Sequence, residues 1–163
     1  MIETGTFLGN TAMACAPHFR KVYTIELDEA LAASAAAYLK RRPNVEVIRG
    51  DAAVELPRIL ERPDVDELMV YLDGHFSGGV TALGDVPEPA CMEVESLARF
   101  RDKIRGVVID DFRSFGTQPG FPSKSELLHS VEKHFNNGYD ILIHLDQVLI
   151  IRKPATPSAA AAR

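Results

Sequence analysis

Glu3-Thr4-Gly5-Thr6-Phe7-Leu8-Gly9-Asn10-Thr11 forms a glycine-punctuated turn between the end of a predicted strand and the start of a predicted helix. Gly5 can adopt a positive φ, and Gly9 allows the backbone to be approached closely. The N–H groups that open the next helix favour anionic or polar ligand groups. The turn therefore predicts a site for a nucleotide-like cofactor, although its spacing also suits a purely structural turn.

Strands and helices alternate along most of the chain after this turn. Strands are predicted at 22–26, 45–48, 68–72 and 107–109, and the helices that follow them at 28–41, 52–60, 91–104 and 125–135. The strands are almost continuously apolar, which is typical of a parallel sheet with helices on both faces. The pattern predicts a doubly wound, Rossmann-like α/β domain over residues 1–153, with a truncated first strand because only Met1 and Ile2 precede Glu3.

The last two strands break this alternation. Residues 139–145 and 148–152 form apolar runs with only Asp146-Gln147 between them. Because a parallel crossover needs a dozen or more residues, the two strands are predicted to form an antiparallel hairpin. Residues 154–163, rich in Ala and Pro, are predicted to be a disordered tail.

The composition of the chain limits which partners it binds and where in the cell it is expected. The chain has 163 residues, 46% of them apolar, and a net charge of −5, which predicts one domain that binds neither nucleic acid nor an anionic membrane surface. Cys15 and Cys91 lie in apolar helical context, so both are interpreted as free thiols of a cytoplasmic protein. The sequence lacks a membrane-length apolar run and a signal-peptide pattern, so we expect a soluble, unprocessed chain.

Acidic residues follow the carboxyl ends of all the predicted parallel strands, where α/β sheets bind their ligands. They are Glu3, Glu26, Asp51, Asp73 and the pair Asp110-Asp111. Glu26 lies 21 residues beyond Gly5, a separation at which an acid can accept hydrogen bonds from both ribose hydroxyls. Asp51 is placed either to accept from an adenine amino group or to cap the following helix. Any one of these acids could be a solvated turn residue, but their recurrence indicates a ligand site.

These features together resemble class I S-adenosylmethionine-dependent methyltransferases. The resemblance rests on Glu3-Thr4-Gly5 with Gly9, on Glu26, on Gly50-Asp51 and on the terminal hairpin, and it extends over nearly the whole chain. It implies that S-adenosylmethionine is the cofactor. The residues it places at the cofactor are Glu3, Gly5, Thr6, Gly9, Glu26, Asp51 and Asp73.

Two further motifs, Leu72-Asp73-Gly74-His75 and Ile109-Asp110-Asp111, resemble metal-dependent O-methyltransferases of the macrocin O-methyltransferase type. The resemblance implies that Asp73, Asp110 and Asp111 hold Mg²⁺ beside the methyl donor, and carboxylate oxygens are ligands that Mg²⁺ accepts. His75 replaces a further acid that members of this group often carry. Asp73 and His75 are the catalytic candidates, with His75 as general base.

Alternatives remain for this acidic cluster. The pair Asp110-Asp111 also fits a turn after a buried strand. Arg113 could fold back onto Asp110 as a structural ion pair, which would make a metal unnecessary. Residues 77–89 are rich in Gly and Pro, and their position next to Asp73 predicts a mobile lid.

The leading function is methyl transfer to an oxygen of a small hydroxylated acceptor, and the sequence leaves open whether the protein is a homo-oligomer. The alternative is a truncated or non-catalytic module that only binds S-adenosylmethionine. A nicotinamide-dependent oxidoreductase is disfavoured, because the chain has a terminal hairpin and no G-x-G-x-x-G string.

Overall fold

The computed structural model describes residues 1–74 and 88–154. Its strands are β1 (Ile2–Thr4), β2 (Val22–Glu26), β3 (Val45–Arg49), β4 (Leu68–Leu72), β5 (Ile104–Ile109), β6 (Tyr139–His144) and β7 (Gln147–Arg152). Its helices are α1 (Asn10–Cys15), α2 (Glu29–Leu39), α3 (Ala52–Leu60), α4 (Ala90–Ala98) and α5 (Lys124–Phe135). The predicted lid falls mainly, and the predicted tail almost wholly, on residues outside these ranges.

The seven strands form one sheet in the order β3-β2-β1-β4-β5-β7-β6. The first five are parallel, whereas β7 runs antiparallel to β5 and β6 antiparallel to β7. The predicted fold class, a mostly parallel Rossmann-like sheet with a C-terminal antiparallel hairpin, is confirmed. Among the described residues, no helix is long and apolar enough to cross a membrane.

Strand β1 is short, as predicted, yet it lies in the middle of the sheet. Its residue Ile2 pairs with Tyr23 of β2 on one side and with Val70 of β4 on the other, and it is fully buried. The strand order reverses between β1 and β4, and such a switch point is where open α/β sheets bind ligands. The three residues of β1 therefore join the two halves of the sheet at the point where a ligand is expected.

Helices cover the two faces of the sheet unequally. One face packs against α3, α4 and α5 through buried side chains such as Leu56, Val94 and Val131. The other face packs against α1 and α2, where Ala12 and Leu39 are buried in a smaller cluster. Small alanines on these two helices allow them to lie close to the strands that carry the glycine turn.

Two predicted boundaries differ from the structure. The helix predicted over 91–104 ends at Ala98, because Ile104 is fully buried as the first residue of β5 and pairs with Leu68. The predicted turn Asp146-Gln147 shifts by one residue, because Leu145 adopts φ 51° and Gln147 already pairs with His144. Neither shift changes which strands are neighbours.

Candidate functional site

The glycine turn passes directly over the end of β4. Gly5 has φ 80°, and a Cβ atom placed on it would lie 2.2 Å from the carbonyl oxygen of Asp73. The N–H groups of Gly5 and Thr6 both donate to the carbonyl of Ile25, at 3.0 and 3.1 Å. The turn is thus fixed between β2 and β4, and only glycine fits at its first position.

A chain of buried hydroxyls lies beneath the turn. Thr24 donates to Glu3 Oε2 at 2.6 Å, and the hydroxyls of Thr6 and Thr24 are 2.6 Å apart. Because a hydroxyl has one proton and that of Thr24 goes to Glu3, Thr6 is the donor to Thr24. Burial raises the pKa of Glu3 to about 7, against the effect of the Thr24 hydrogen bond. Glu3 and Thr6 are therefore buried beneath the turn, and their contact with a cofactor stays a prediction.

Glu26 ties the turn to the end of β2. Its Oε2 accepts from the backbone N–H of Phe7 at 2.8 Å, and its Oε1 accepts from the backbone N–H of Asp28 at 3.0 Å. The side chain is nearly buried, and Phe7 adopts φ 47° to reach it. Each carboxylate oxygen has further lone-pair capacity, so the predicted acceptance from ribose hydroxyls is compatible with both of these bonds.

Gly9 and Asp51, which were also predicted at the cofactor, make contacts within the protein. Gly9 precedes α1 with φ 77°, and the closest atoms to a Cβ placed on it belong to Leu39 of α2, at 3.0 Å. Helix α2 is therefore the element that lies close to Gly9. Asp51 caps α3 by accepting from Ala53 N–H at 2.8 Å through Oδ1, which is the capping role considered from the sequence.

At the ends of β4 and β5, Asp110 is held by three donors. Tyr71 donates its phenolic O–H to Oδ2, while the backbone N–H of Asp111 and the side-chain amide of Gln147 donate to Oδ1 at 2.9 and 3.3 Å. Burial raises the pKa of Tyr71, and the hydrogen bond and charge of Asp110 raise it further. Tyr71 is therefore a neutral donor to a carboxylate, and Asp110 is fixed in place.

Arg113 lies between two other acids. Its guanidinium is 2.8 Å from Asp111 Oδ1, and it also pairs with Asp146 in the hairpin turn. Asp111 itself adopts φ 52°. Arg113 thus does not fold back onto Asp110, the alternative considered from the sequence, but pairs with Asp111, the second acid of the motif.

These contacts bear on the predicted Mg²⁺ site. Within the described ranges, no group of three His, Cys, Asp or Glu residues converges to hold a metal ion. Asp110 already accepts three hydrogen bonds from the protein, and Asp111 is paired with a guanidinium. The described residues therefore do not fit the Mg²⁺ site predicted from Asp73, Asp110 and Asp111. His75, the predicted general base, lies outside the described residues.

A buried acid that the sequence analysis missed lies behind the end of β4. Glu93 of α4 is buried, and its Oε1 would be 3.7 Å from a Cβ placed on Gly74, while Thr4 Oγ1 would be 3.2 Å from the same point. In the described part of the chain these two oxygens have no hydrogen-bond partner. Burial, with a contribution from Glu88, raises the pKa of Glu93 to about 8.

Tyr71, Thr24 and Gln147 were also missed. Tyr71 and Thr24 lie inside strands, where such residues normally indicate only β propensity, and Gln147 falls in the predicted turn. The available signal was their position: Tyr71 is one residue before the apolar end of β4, and Gln147 starts β7 beside the end of β5. Their partners could be identified only from the sheet order.

Comparison with solved structures finds S-adenosylmethionine (SAM)-dependent methyltransferases. The O-methyltransferase TomG from Streptomyces achromogenes, involved in tomaymycin synthesis and solved with SAM, is 20% identical over 94% of this chain and 72% of its own, with a TM-score of 0.60. An O-methyltransferase from Bacillus cereus in complex with SAH is 16% identical over 93% of this chain and 73% of its own, with a TM-score of 0.62. A candidate rRNA methylase from Clostridium thermocellum is 12% identical over 93% and 88%, with a TM-score of 0.66.

No protein-family model and no curated protein sequence matches the chain. At identities of 12 to 20%, the structural similarity establishes the fold. The chain thus has the fold of SAM-dependent methyltransferases, and its glycine turn lies at the switch point of that fold.

Proposed function

We propose that this chain binds S-adenosylmethionine at the switch point between β1 and β4 and is a methyltransferase. The observation that carries the proposal is the glycine turn, held at one end by Glu26 and passing so close to Asp73 that only glycine fits at position 5. This arrangement brings backbone and acid side chains from adjacent strands to one point of the sheet edge. The fold that the chain shares with SAM-dependent methyltransferases supports the same conclusion.

Charge at this edge is suited to the cofactor. S-adenosylmethionine carries a sulfonium and an ammonium cation, and Glu26, Asp51, Asp73 and Asp110 provide carboxyl groups around the switch point. Glu26 would accept from the ribose hydroxyls through its free lone pairs, and Asp51 from the adenine amino group through the oxygen that does not cap α3. Glu3 and Thr6 would support the turn from below.

When bound, S-adenosylmethionine supplies an electrophilic methyl group. The proposed acceptor is an oxygen of a small hydroxylated molecule, in line with the O-methyltransferases among the similar structures. Asp73 and His75 are the proposed catalytic residues, with His75 taking the acceptor proton. Because Asp110 and Asp111 already have protein partners, the proposal includes no step through a metal ion.

A second candidate, a module that binds the cofactor without turnover, shares the first half of this proposal. It is favoured by one observation: the acids after β5 are engaged by Tyr71 and Arg113 of the chain itself. The two candidates make the same prediction for cofactor binding and opposite predictions for product formation.

Titration calorimetry with S-adenosylmethionine and S-adenosylhomocysteine tests binding. Glu26→Gln should weaken binding by about 1.5–3 kcal/mol, the range for hydrogen bonds to a charged group. Glu29→Gln, three residues away at an exposed ion pair with Arg49, is the matched control and should leave affinity unchanged. Unchanged affinity in Glu26→Gln would remove Glu26 from the site, and no binding by the wild type would overturn the proposal.

Turnover is tested separately by mass spectrometry of S-adenosylhomocysteine released in the presence of a panel of phenolic and sugar hydroxyl acceptors. Acceptor-dependent product that is lost in Asp73→Asn and retained in Glu29→Gln supports the methyltransferase. Tight cofactor binding with no product from any acceptor of the panel would support the binding module instead.

A further inference from the structure

The outer edge of the sheet is formed by β6, whose backbone groups are open to pairing. Lys153 N–H donates to the carbonyl of Gly138 at 2.8 Å, which makes these two residues a hydrogen-bonded pair of the β6–β7 hairpin. Because bonded and non-bonded pairs alternate in an antiparallel ladder, Asp140, Leu142 and His144 direct their backbone groups toward β7. Tyr139, Ile141 and Ile143 direct theirs outward. Within residues 1–74 and 88–154, no strand pairs with this side of β6.

The same edge exposes apolar side chains. Leu142 and Ile143 are 50% and 53% exposed, and Leu145 in the adjoining turn is 89% exposed. Ile151 of β7, opposite Asp140, is also exposed. Neither proline nor lysine, residues that commonly protect edge strands from pairing, occurs in β6. An apolar edge of this kind is a template for another strand.

The sequence of β6 is complementary to itself. When two copies of Tyr139-Asp140-Ile141-Leu142-Ile143-His144 run antiparallel about a two-fold axis at Leu142, each Asp140 lies opposite His144 of the other copy. Ile141 then lies opposite Ile143, and Leu142 lies opposite its own copy. The imidazole can donate to the carboxylate in either of its protonation states, so the polar pair is favourable at both positions.

The backbone geometry agrees with this register. Ile141 and Ile143 direct their N–H and C=O groups outward, and in this register they are the residues that exchange hydrogen bonds with the second copy. Moving the axis to Ile141 would place Asp140 opposite Leu142, and moving it to Ile143 would place His144 opposite Leu142. Both alternatives set a polar group against an apolar one, so the axis at Leu142 is the register that the side chains favour.

We propose that the free edge of β6 pairs with β6 of a second copy of this chain, forming a symmetric dimer in which the two sheets become continuous. The contact is isologous, as is usual for dimers with a two-fold axis, and it buries the exposed side chains of Leu142 and Ile143. The proposal is independent of cofactor binding and methyl transfer, because β6 is at the far end of the sheet order from the β1–β2 side.

Sedimentation velocity over a dilution series tests the oligomeric state. Swapping the residues at positions 140 and 144 tests the contact. The wild type should sediment as a dimer that dissociates on dilution. His144→Asp places two acids opposite each other at both ends of the pairing, and should weaken dimerisation by about tenfold or more. Asp140→His combined with His144→Asp restores the opposite pairing and should restore the dimer. A control at a remote exposed apolar residue, Val54→Lys on α3, should leave the dimer unchanged.

Disulfide trapping tests the register. In a Cys15→Ala/Cys91→Ala background, Leu142→Cys should cross-link under mild oxidation, because residues opposite each other in a non-bonded pair have Cα atoms about 4.5 Å apart. Ile143→Cys should not, since each copy would lie opposite Ile141 and too far from its equivalent. A monomeric wild type at all concentrations, or a dimer that neither responds to His144→Asp nor cross-links through Leu142→Cys, would overturn the proposal.

Discussion

The two sides of the switch point differ in how their acids are held. On the β1–β2 side, Glu26 accepts from backbone amides and Glu3 accepts from the Thr24 hydroxyl. On the β4–β5 side, Asp110 is held by the Tyr71 phenol, and Asp111 is paired with the Arg113 guanidinium. The first side builds a fixed backbone turn with lone pairs left for a ligand. On the second side a phenol and a guanidinium engage the acids, and the predicted metal site lacks support there.

The largest expected effect is at the point where the two sides touch. Gly5→Ala places a Cβ 2.2 Å from the Asp73 carbonyl in addition to straining a φ of 80°, so we expect it to lower the free energy of unfolding by about 4 kcal/mol or more. The matched control is Gly138→Ala, which has φ 82° but no atom within 4 Å of the added Cβ. It should cost only about 1 kcal/mol, the backbone term alone.

Urea unfolding followed by circular dichroism measures both variants. Equal losses in Gly5→Ala and Gly138→Ala would mean that the end of β4 moves away at little cost and that the two sides are not tightly joined.

The next effect concerns one buried acid on each side, and it depends on pH. The pKa values of Glu3 and Glu93 are raised to about 7 and about 8, above their ordinary value near 4.5. The unfolded chain therefore loses these protons first. The stability that the neutral acids contribute is complete below about pH 4.5 and is lost as pH rises toward 7 for Glu3 and 8 for Glu93.

Glu93→Gln should remove its part of this pH dependence, on the order of 3 kcal/mol between pH 5 and pH 8, because glutamine does not titrate. Denaturant unfolding at the two pH values measures the difference, and Glu95→Gln on the same helix is the control. If the stability of Glu93→Gln fell as much between the two pH values as that of the wild type, this acid would not titrate in that range.

A smaller effect is expected for the donor to Asp110. Tyr71→Phe removes the phenolic hydrogen bond but leaves the bonds from Asp111 N–H and Gln147, so it should cost about 1–2 kcal/mol of folding stability. Affinity for S-adenosylmethionine should not change, in contrast to Glu26→Gln. Tyr38→Phe, at an exposed tyrosine, is the control for stability. A large loss of cofactor affinity in Tyr71→Phe would contradict this prediction and indicate that the ligand site extends to β5.

The smallest effect is expected for Arg113, whose side chain is 72% exposed. Arg113→Ala should cost less than about 1 kcal/mol, and the loss should shrink further as salt is added, since solvent screens an exposed ion pair. Thermal unfolding at low and high salt measures both. A loss of several kcal/mol that salt does not alter would mean that Arg113 organises the whole β5 turn.

Much of the fold followed from local pattern. Apolar runs alternating with helical segments predicted the parallel sheet, and a two-residue connection left only an antiparallel hairpin at the end. The predicted end of α4 was wrong. Ile104 fits the apolar periodicity of a helix as well as the start of a strand, and its burial on β5 depends on the neighbouring strand.

The sequence by itself determined that acids follow the parallel strands and that a glycine turn opens the chain, because strand direction and the freedom of glycine are local properties. Only the tertiary structure decided which donor each acid meets. Tyr71 reaches Asp110 from a different strand 39 positions away, and Arg113 reaches Asp146 from 33 positions away. Such pairs depend on the order of strands and on the direction of single side chains, and neither leaves a periodic signal in the chain.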